Sequence, residues 1–381
     1  MSPTSILQFT GFIKNISYVA RLTRPLVASR FDDFDINIAP SCGLLTMSSD
    51  QDILAYSKWV SPKRTRSYPF ERIYNTYNQQ KCLTIIPIIK DEGIDGDLDK
   101  IQYSTISWMN LLNIYIVLAY YDRASKNTRQ SQLGKQKLTN QRFDSDFVNA
   151  QISEIASYKL SALHWNKHLI ESRFLEIFDT ALGRYGAIAD STGIPVHTQQ
   201  RMRAYAAGIL EDFATFKDIS HRGSERASSR EAVTEHRLEY LTDGAKAQFF
   251  ITNYLGGIYY LTADEVLIEN GIYIIQESKN ATNSAFPAGS DIKDGLFKLI
   301  LFSNLDRLEL EGVSVPFKSR LKLTGTGIQE RLRMPCSSDA LEAFLKVNAS
   351  VFKKSHHALL NNLLQETLSN QKLEIEIAPN E

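Results

Sequence analysis

The chain has 381 residues, of which 43% are hydrophobic and 10% are aromatic. This composition excludes a disordered chain and supplies enough apolar side chains for two domains with sizeable cores. Lysine plus arginine and aspartate plus glutamate both number 43, so the net charge neither indicates nor excludes a nucleic-acid partner.

The cysteines and the apolar stretches indicate where in the cell the protein works. Cys42, Cys82 and Cys336 are far apart and form no Cys-x-x-Cys pair, which predicts free thiols in a reducing compartment. The first residues lack the basic segment and apolar core of a signal peptide. The most apolar stretch, residues 108–121, is too short to span a bilayer. We therefore expect a cytoplasmic protein that does not enter the membrane.

Basic and aromatic residues alternate between residues 57 and 77, after a first predicted strand within residues 9–20. Such a strip suits contact with phosphates together with stacking on bases. The alternative is a surface segment whose aromatic side chains anchor it in the core. The first interpretation predicts that Arg64 and Arg66 contact DNA.

Residues 81–121 predict a strand, an acidic loop, a helix and a second strand, which together form an α/β unit. The two strands, residues 81–90 and 114–121, are nearly continuous apolar runs, and residues 102–112 form the helix. The loop, residues 91–99, contains five acids and could hold a metal ion, but its spacing does not match an EF-hand. We favour a hydrogen-bonded turn for this loop.

The following residues are predominantly helical, apart from a polar segment at residues 123–142. That segment is predicted to be a loop or linker that is basic enough to contact a phosphate backbone. Apolar residues at helical spacing predict a long helical region over residues 145–182 and a further helix over residues 198–216.

A serine- and arginine-rich segment at residues 220–230 indicates a boundary between two domains. We predict an N-terminal domain over residues 1–215 and a C-terminal domain over residues 220–381. Within the boundary segment, Arg222 and Arg226 suit contact with DNA phosphates, although a solvated linker has the same composition.

The C-terminal domain contains a predicted hairpin with a charged end. Asn270-Gly271 is a strong signal for a tight turn, and it separates two apolar runs. Asp264 stands at the start of the first strand, and Glu277 and Lys279 stand on one face at the end of the second. A tight hairpin brings these ends together, so we expect two carboxylates and one ammonium group to converge.

This group of side chains has a chemical use. Carboxylate oxygens are ligands that Mg²⁺ prefers, and the ion keeps waters that leave room for a phosphate. A bound Mg²⁺ can polarise a phosphoryl oxygen, while a lysine beside it orients water or stabilises developing charge. The residues therefore suit hydrolysis of a phosphodiester. The alternative is an edge hairpin with solvated charges, although residues 272–276 have the apolar character of a buried strand.

Beyond the hairpin the sequence predicts a helix over residues 291–302, then further strands and a helical C-terminal region. The strands, residues 307–315 and 319–324, would complete the sheet, and the second has a basic face formed by Lys318, Arg320 and Lys322. Residues 338–370 are mostly helical, and the acidic tail at residues 371–381 is expected to fray.

The charged hairpin resembles the PD-(D/E)xK nuclease superfamily, which includes the type II restriction endonucleases. The resemblance places Asp264 at the aspartate of the motif, Glu277 at its second acidic position and Lys279 at its lysine. Ala263 stands where the motif often has proline, a residue with no chemical role. The resemblance covers roughly residues 230–305.

The resemblance also implies roles for residues outside the hairpin. These nucleases commonly place another metal-binding glutamate on a preceding helix, for which Glu239, or alternatively Glu235, is the candidate. They also place a helix after the Glu-x-Lys strand, which residues 291–302 would form. Lys293 and Lys298 on that helix are then expected to face DNA phosphates.

By this resemblance we expect an α/β (α+β) protein. A restriction-endonuclease-like core of a mixed sheet flanked by helices would follow an N-terminal α/β domain, with a long helical region, for DNA recognition or dimerisation. The expected activity is Mg²⁺-dependent cleavage of double-stranded DNA by a homodimer in restriction–modification. The alternatives are a repair, CRISPR-associated or mobile-element nuclease, or a non-catalytic DNA- or partner-binding protein. The phosphate-binding motifs GxxxxGK[ST] and GxGxxG do not occur, so no nucleotide cofactor is expected.

Overall fold

The computed structural model describes residues 7–47, 53–63, 69–129, 131, 134–197, 199–215, 245–254 and 258–380. The chain divides into two compact units. Unit 1 comprises Met1–Arg24 and Ile219–Glu381, and unit 2 comprises Pro25–Asp218. Unit 2 is therefore an insertion between two separated parts of unit 1.

The described strands and helices follow in chain order. The strands are β1 (Leu7–Ile13), β2 (Val27–Arg30), β3 (Cys42–Thr46), β4 (Ile53–Lys58), β5 (Cys82–Pro87), β6 (Ile89–Asp91), β7 (Leu98–Lys100), β8 (Tyr115–Ala119), β9 (Tyr121–Lys126), β10 (Leu138–Phe143), β11 (Ala245–Asn253), β12 (Ile258–Glu269), β13 (Ile272–Asn280), β14 (Arg307–Leu310), β15 (Val313–Ser314), β16 (Phe317–Gly325), β17 (Leu332–Met334) and β18 (Leu373–Pro379). The helices are α1 (Pro69–Thr76), α2 (Tyr103–Leu111), α3 (Ser145–Ser157), α4 (Ala162–His168), α5 (Phe174–Thr192), α6 (Gln199–Thr215), α7 (Gly289–Ser303), α8 (Ser338–Val347) and α9 (Lys354–Ser369).

A mixed sheet forms the centre of unit 1. Its described strands lie in the order β15-β14-β1-β11-β12-β13-β16-β18-β17. The hairpin strands β12 and β13 are antiparallel, whereas β13, β16 and β18 run parallel to one another. Helix α7 packs across β13 and β16, and α9 packs on β18. This arrangement of a mixed sheet flanked by helices confirms the predicted α+β class, while the restriction-endonuclease core stays a prediction.

The N-terminal strand belongs to unit 1, which differs from the predicted division at residues 215–220. Strand β1 lies between β14 and β11, parallel to β11. Phe9 is fully buried there, and its ring stacks on Phe249 with centroids 5.2 Å apart. The predicted boundary missed this because the pairing joins residues about 240 positions apart, beyond the reach of local patterns.

The C-terminal tail also differs from its prediction. It forms β18, which lies between β16 and β17 rather than fraying. Ile375 and Ile377 are fully buried there, alternating with glutamates that form ion pairs on the other face of the sheet. The acidic residues of the tail are therefore one face of an interior strand, and alternation rather than net charge was the informative signal.

Unit 2 contains a five-stranded sheet in the order β2-β3-β4-β5-β8 among its described residues. Strands β5 and β8 are parallel and fully buried, and α2 lies between them in sequence, so the predicted α/β unit is confirmed. The predicted linker over residues 123–142 is wrong, because β9 and β10 pair there as an antiparallel hairpin. The predicted long helical region is divided into α3, α4 and α5. None of the described helices is both long enough and apolar enough to cross a membrane.

Candidate active site

The predicted hairpin of unit 1 is confirmed. Asn270 and Gly271 both have left-handed backbone angles, with φ of 50° and 79°, which asparagine and glycine adopt most readily and which a tight hairpin turn requires. The turn sets a register in which Glu265 faces Gln276 at the other end of the ladder. Asp264 and Glu277 come next beyond that pair, so the register brings the two carboxylates to the same end of the hairpin.

Helix α7 lies close against this end of the sheet because it has a glycine at the contact. A Cβ atom on Gly295 would lie 2.7 Å from Cδ1 of Leu321 and 3.2 Å from Cε of Lys279. The missing side chain allows the helix backbone to approach the strands. The helix then presents Asp294 and Lys298, which are one turn apart, to the charged end of β13.

The side chains from the hairpin and from α7 form a chain of alternating charges. Nζ of Lys298 donates a hydrogen bond to Oε1 of Glu277 and lies 3.9 Å from Oδ1 of Asp264. Nζ of Lys279 lies 3.0 Å from the same Glu277 oxygen and 2.8 Å from Oδ2 of Asp294. We call these five residues the charged cluster. It holds three carboxylates and two ammonium groups.

The charged cluster is buried at its centre and open at one end. Glu277 is 3% exposed and Lys298 is 6% exposed, so their charges interact in a medium that screens them less than water does. Asp264 has a side chain that is 42% exposed. A ligand from solvent would therefore approach the cluster at Asp264.

The protonation of Lys279 follows from its surroundings. Burial by itself would lower the pKa of Lys279, but the carboxylates of Glu277 and Asp294 outweigh burial and raise this pKa above its ordinary value. The side chain is consequently an ammonium at neutral pH. It can orient a water molecule or stabilise negative charge, whereas proton removal by this group is disfavoured.

The structure brings together the three predicted residues of the hairpin, and of the two predicted residues on α7 it adds Lys298 to the same cluster. Asp264, Glu277 and Lys279 lie in one cluster, as the hairpin predicted. Lys293 is half-buried on α7. Lys298 was predicted to contact DNA phosphates, and this is wrong in the described arrangement because Lys298 is buried against the two carboxylates.

The remaining predicted residues lie outside the residues that the structure describes: Glu235, Glu239, Arg222, Arg226, Arg64 and Arg66. Their predicted roles in metal or DNA binding stay predictions.

The part that Asp294 and Lys298 play in the cluster was not predicted from the sequence. Lys298 was expected to face DNA phosphates, and for Asp294 a position toward solvent was preferred over a role as a further ligand, because charged side chains on a helix are normally exposed. The available signal was Gly295 in the middle of the helix, because a glycine at such a position indicates that another backbone or side chain comes close.

The donor set fits Mg²⁺ as far as the described residues extend. Asp264 and Glu277 present oxygens to a single positive charge, that of Lys298, so the two carboxylates can share one cation. Mg²⁺ is commonly bound by one or two carboxylates, with waters and a phosphate as its other ligands. Over the described ranges no group of three or more His, Cys, Asp or Glu side chains is arranged to hold a metal ion.

The basic face predicted on β16 is neutralised by acidic neighbours. Arg320 is 2% exposed and forms ion pairs with Glu269 on β12 and Glu374 on β18. Its hydrogen bond, together with that from Arg333, lowers the pKa of Glu269 to about 2. Lys318 also pairs with Glu374, at 2.6 Å. These contacts join β12, β16, β17 and β18, and they pair the positive charges of Lys318 and Arg320 with carboxylates.

In unit 2, the residues of the basic and aromatic strip and of the acidic loop have contacts that account for them as parts of the fold. In the basic and aromatic strip, Trp59, Phe70 and Tyr74 are fully buried and therefore cannot stack on bases. In the acidic loop, Asp91 accepts a hydrogen bond from the backbone N–H of Gly93, and Asp99 accepts one from the Ser61 hydroxyl. The favoured interpretation of that loop as a hydrogen-bonded turn agrees with these contacts.

Searches against protein-family models, curated proteins and solved structures find no match to this chain. The geometry of the charged cluster therefore carries the functional argument by itself.

Proposed function

We propose that the protein is a Mg²⁺-dependent endodeoxyribonuclease, of the sequence-specific type II restriction class. The observation that supports this is the convergence of Asp264, Glu277 and Lys279 at the end of the ladder between β12 and β13. The same three residues carry the resemblance to the PD-(D/E)xK nucleases. Double-stranded DNA is the proposed substrate, and a homodimer would supply one active site for each strand.

In this proposal the carboxylates of Asp264 and Glu277 hold the ion, and Glu239, or alternatively Glu235, adds a further acid. The bound Mg²⁺ supplies a Lewis acid for a phosphoryl oxygen. Lys279, held as an ammonium between Glu277 and Asp294, orients the attacking water and stabilises charge that develops on the phosphate. Asp294 is a positioning residue, because it reaches the substrate only through Lys279.

The experiment is cleavage of supercoiled plasmid DNA in the presence of Mg²⁺ by the wild type, by two variants of the cluster, by a surface control and by Asp97→Ala in the acidic loop. Asp264→Asn and Lys279→Gln should each lower the cleavage rate by about 100-fold or more, because each removes a charge that acts on the transition state. Glu330→Gln, which changes an exposed carboxylate of unit 1, is the matched control and should cut like the wild type.

The outcomes separate the proposal from its alternatives. Unchanged cleavage by Asp264→Asn would refute the assignment, and loss of cleavage in Asp97→Ala but not in Lys279→Gln would move the chemistry to the acidic loop. A wild type that never cuts with any divalent ion favours a non-catalytic binding protein, in which the cluster is a structural ion-pair network. Discrete fragments indicate restriction, whereas unspecific products favour a repair, CRISPR-associated or mobile-element nuclease.

A further inference from the structure

The hairpin of β9 and β10 forms one wall of a cavity in unit 2. The cavity has a volume of about 460 Å³, which is within the range of small-molecule binding sites, roughly 300–1,000 Å³. Tyr121 and Phe143 contribute to its apolar lining, and their rings stack with centroids 4.3 Å apart. The hydroxyl of Tyr121 donates to the carbonyl of Val60, which joins the hairpin to the opposite wall.

The described lining of the cavity has an excess of positive charge. Lys58, Lys90, Arg129 and Lys137 line it together with one carboxylate, that of Glu92. Glu92 is paired with Lys90 at 2.8 Å. The remaining three cations give the lining a net charge of about +3 at neutral pH, which attracts an anion.

Lys58 and Arg129 differ in how far they are buried in the lining. Lys58 is fixed in the wall, where its Nζ donates to the carbonyls of Ile36 and Ala39 at 2.8 and 2.6 Å. Burial lowers the pKa of Lys58, the nearby charge of Arg72 lowers it further, and the carboxylate of Asp35 acts in the opposite direction. Arg129, by contrast, is exposed at the mouth of the cavity.

The wall formed by β10 departs from regular pairing where it lines the cavity. The register of β9 and β10 shifts between Thr139 and Arg142, and Asn140 within that bulge has a φ of 50°. Gln141 is held by a hydrogen bond to the carbonyl of Asp91 and one from the hydroxyl of Tyr185. Such bulges are common beside binding sites, because they redirect side chains and backbone groups.

We propose that this cavity binds the phosphate group of a nucleotide. The cationic lining matches the phosphate, and Val60, which is 40% exposed, gives the lining an apolar surface for the sugar or the base. The nucleotide is either free or part of a nucleic-acid strand, and both sources present the same chemistry to the cavity. The site lies within unit 2 and does not depend on the cleavage chemistry proposed for unit 1.

The test measures binding to the full chain in EDTA, so that no metal-dependent cleavage takes place. The probes are adenosine monophosphate, measured by calorimetry, and a fluorescein-labelled single-stranded 12-mer, measured by anisotropy. The double variant Arg129→Gln/Lys137→Gln removes two cations of the lining. The matched control, Lys126→Gln/Lys135→Gln, removes two exposed cations of the same region that do not line the cavity.

We expect the double variant to bind at least one probe about tenfold more weakly than the wild type, while the control binds like the wild type. Loss of adenosine monophosphate binding identifies a free nucleotide, and loss of 12-mer binding alone identifies a strand. Equal binding by the double variant and the wild type, or no binding of either probe by the wild type, overturns the proposal.

Folding is checked by thermal unfolding of each variant. If the double variant does not fold, the single variant Arg129→Gln, at an exposed position, gives the same comparison. Plasmid cleavage is measured separately, so a failure of this proposal is distinguishable from a failure of the proposed nuclease activity.

Discussion

Lys298 shows how one buried cation can organise an acidic site. Its ammonium group contacts Glu277 and lies near Asp264, so it neutralises carboxylates that would otherwise repel each other. A buried charge of this kind is stable only when it is paired, because burial removes its hydration. Lys298 therefore places its charge between the two carboxylates that would hold the proposed Mg²⁺, so the two cations would compete for these carboxylates.

The substitution Lys298→Met tests this role. In EDTA it should lower the free energy of unfolding by about 3 kcal/mol, because Glu277 loses a buried partner. Addition of Mg²⁺ should then stabilise the variant more than it stabilises the wild type, since the ion replaces the lost charge. Urea denaturation with and without Mg²⁺ measures both effects.

Lys346→Met serves as the control for that measurement, because Lys346 is exposed on α8 and its loss should change stability by less than about 0.5 kcal/mol. If Lys298→Met is as stable as the wild type in EDTA, the buried pair contributes nothing to folding and the proposed competition with Mg²⁺ fails.

At the scale of secondary-structure elements, the sequence predicted features that depend on adjacent residues, and it did not predict contacts between residues that are far apart in the chain. Asn270-Gly271 predicted the hairpin correctly because a tight turn depends on two adjacent residues. The hairpin of β9 and β10 was not predicted, because Gly134 and the many polar residues between the two strands are also typical of an unstructured linker. Likewise, Lys298 meets Glu277 only through the packing of α7 on β13, which no periodicity in the sequence specifies.

Gly295 determines how closely α7 packs on β13 and β16, and its replacement tests the dependence of the site on that packing. Gly295→Val should cost about 1–3 kcal/mol, because the new side chain would enter space held by Leu321 and Lys279. It should also lower plasmid cleavage, because Asp294 and Lys298 move away from the hairpin. Thermal unfolding and the cleavage assay measure the two effects.

The matched control is Gly289→Val, on the same helix. A Cβ atom at Gly289 meets nothing within 4 Å, so this variant should unfold and cut like the wild type. If the two substitutions lower stability and cleavage equally, the cause is the helix propensity of valine and not the close packing at Gly295.

At the scale of the whole molecule, unit 1 is assembled from both ends of the chain. Strand β1 is an interior strand of its sheet, since it pairs with β11 on one side and β14 on the other. The predicted C-terminal domain, residues 220–381, lacks this strand. A fragment limited to those residues would expose the strand edges of β11 and β14, which favours aggregation.

Complementation of the fragments tests this assembly. Residues 219–381 expressed alone should aggregate or unfold at a lower temperature, and a synthetic peptide of residues 1–24 should bind the fragment and restore cooperative unfolding. The same peptide with Phe9→Asp is the control and should not restore it, because Phe9 is fully buried against Phe249. Independent cooperative unfolding of residues 219–381 would contradict the expectation.

The position of β1 also determines the order of events during synthesis on the ribosome. Leu7 pairs with Ala247, so β1 must wait for about 240 further residues before its parallel neighbour exists. All of unit 2 is translated during that interval, and domains generally fold as they emerge. Unit 2 can therefore fold first. Until β11 is synthesised, β1 is an apolar segment without its neighbouring strand, and such a segment is a binding site for chaperones.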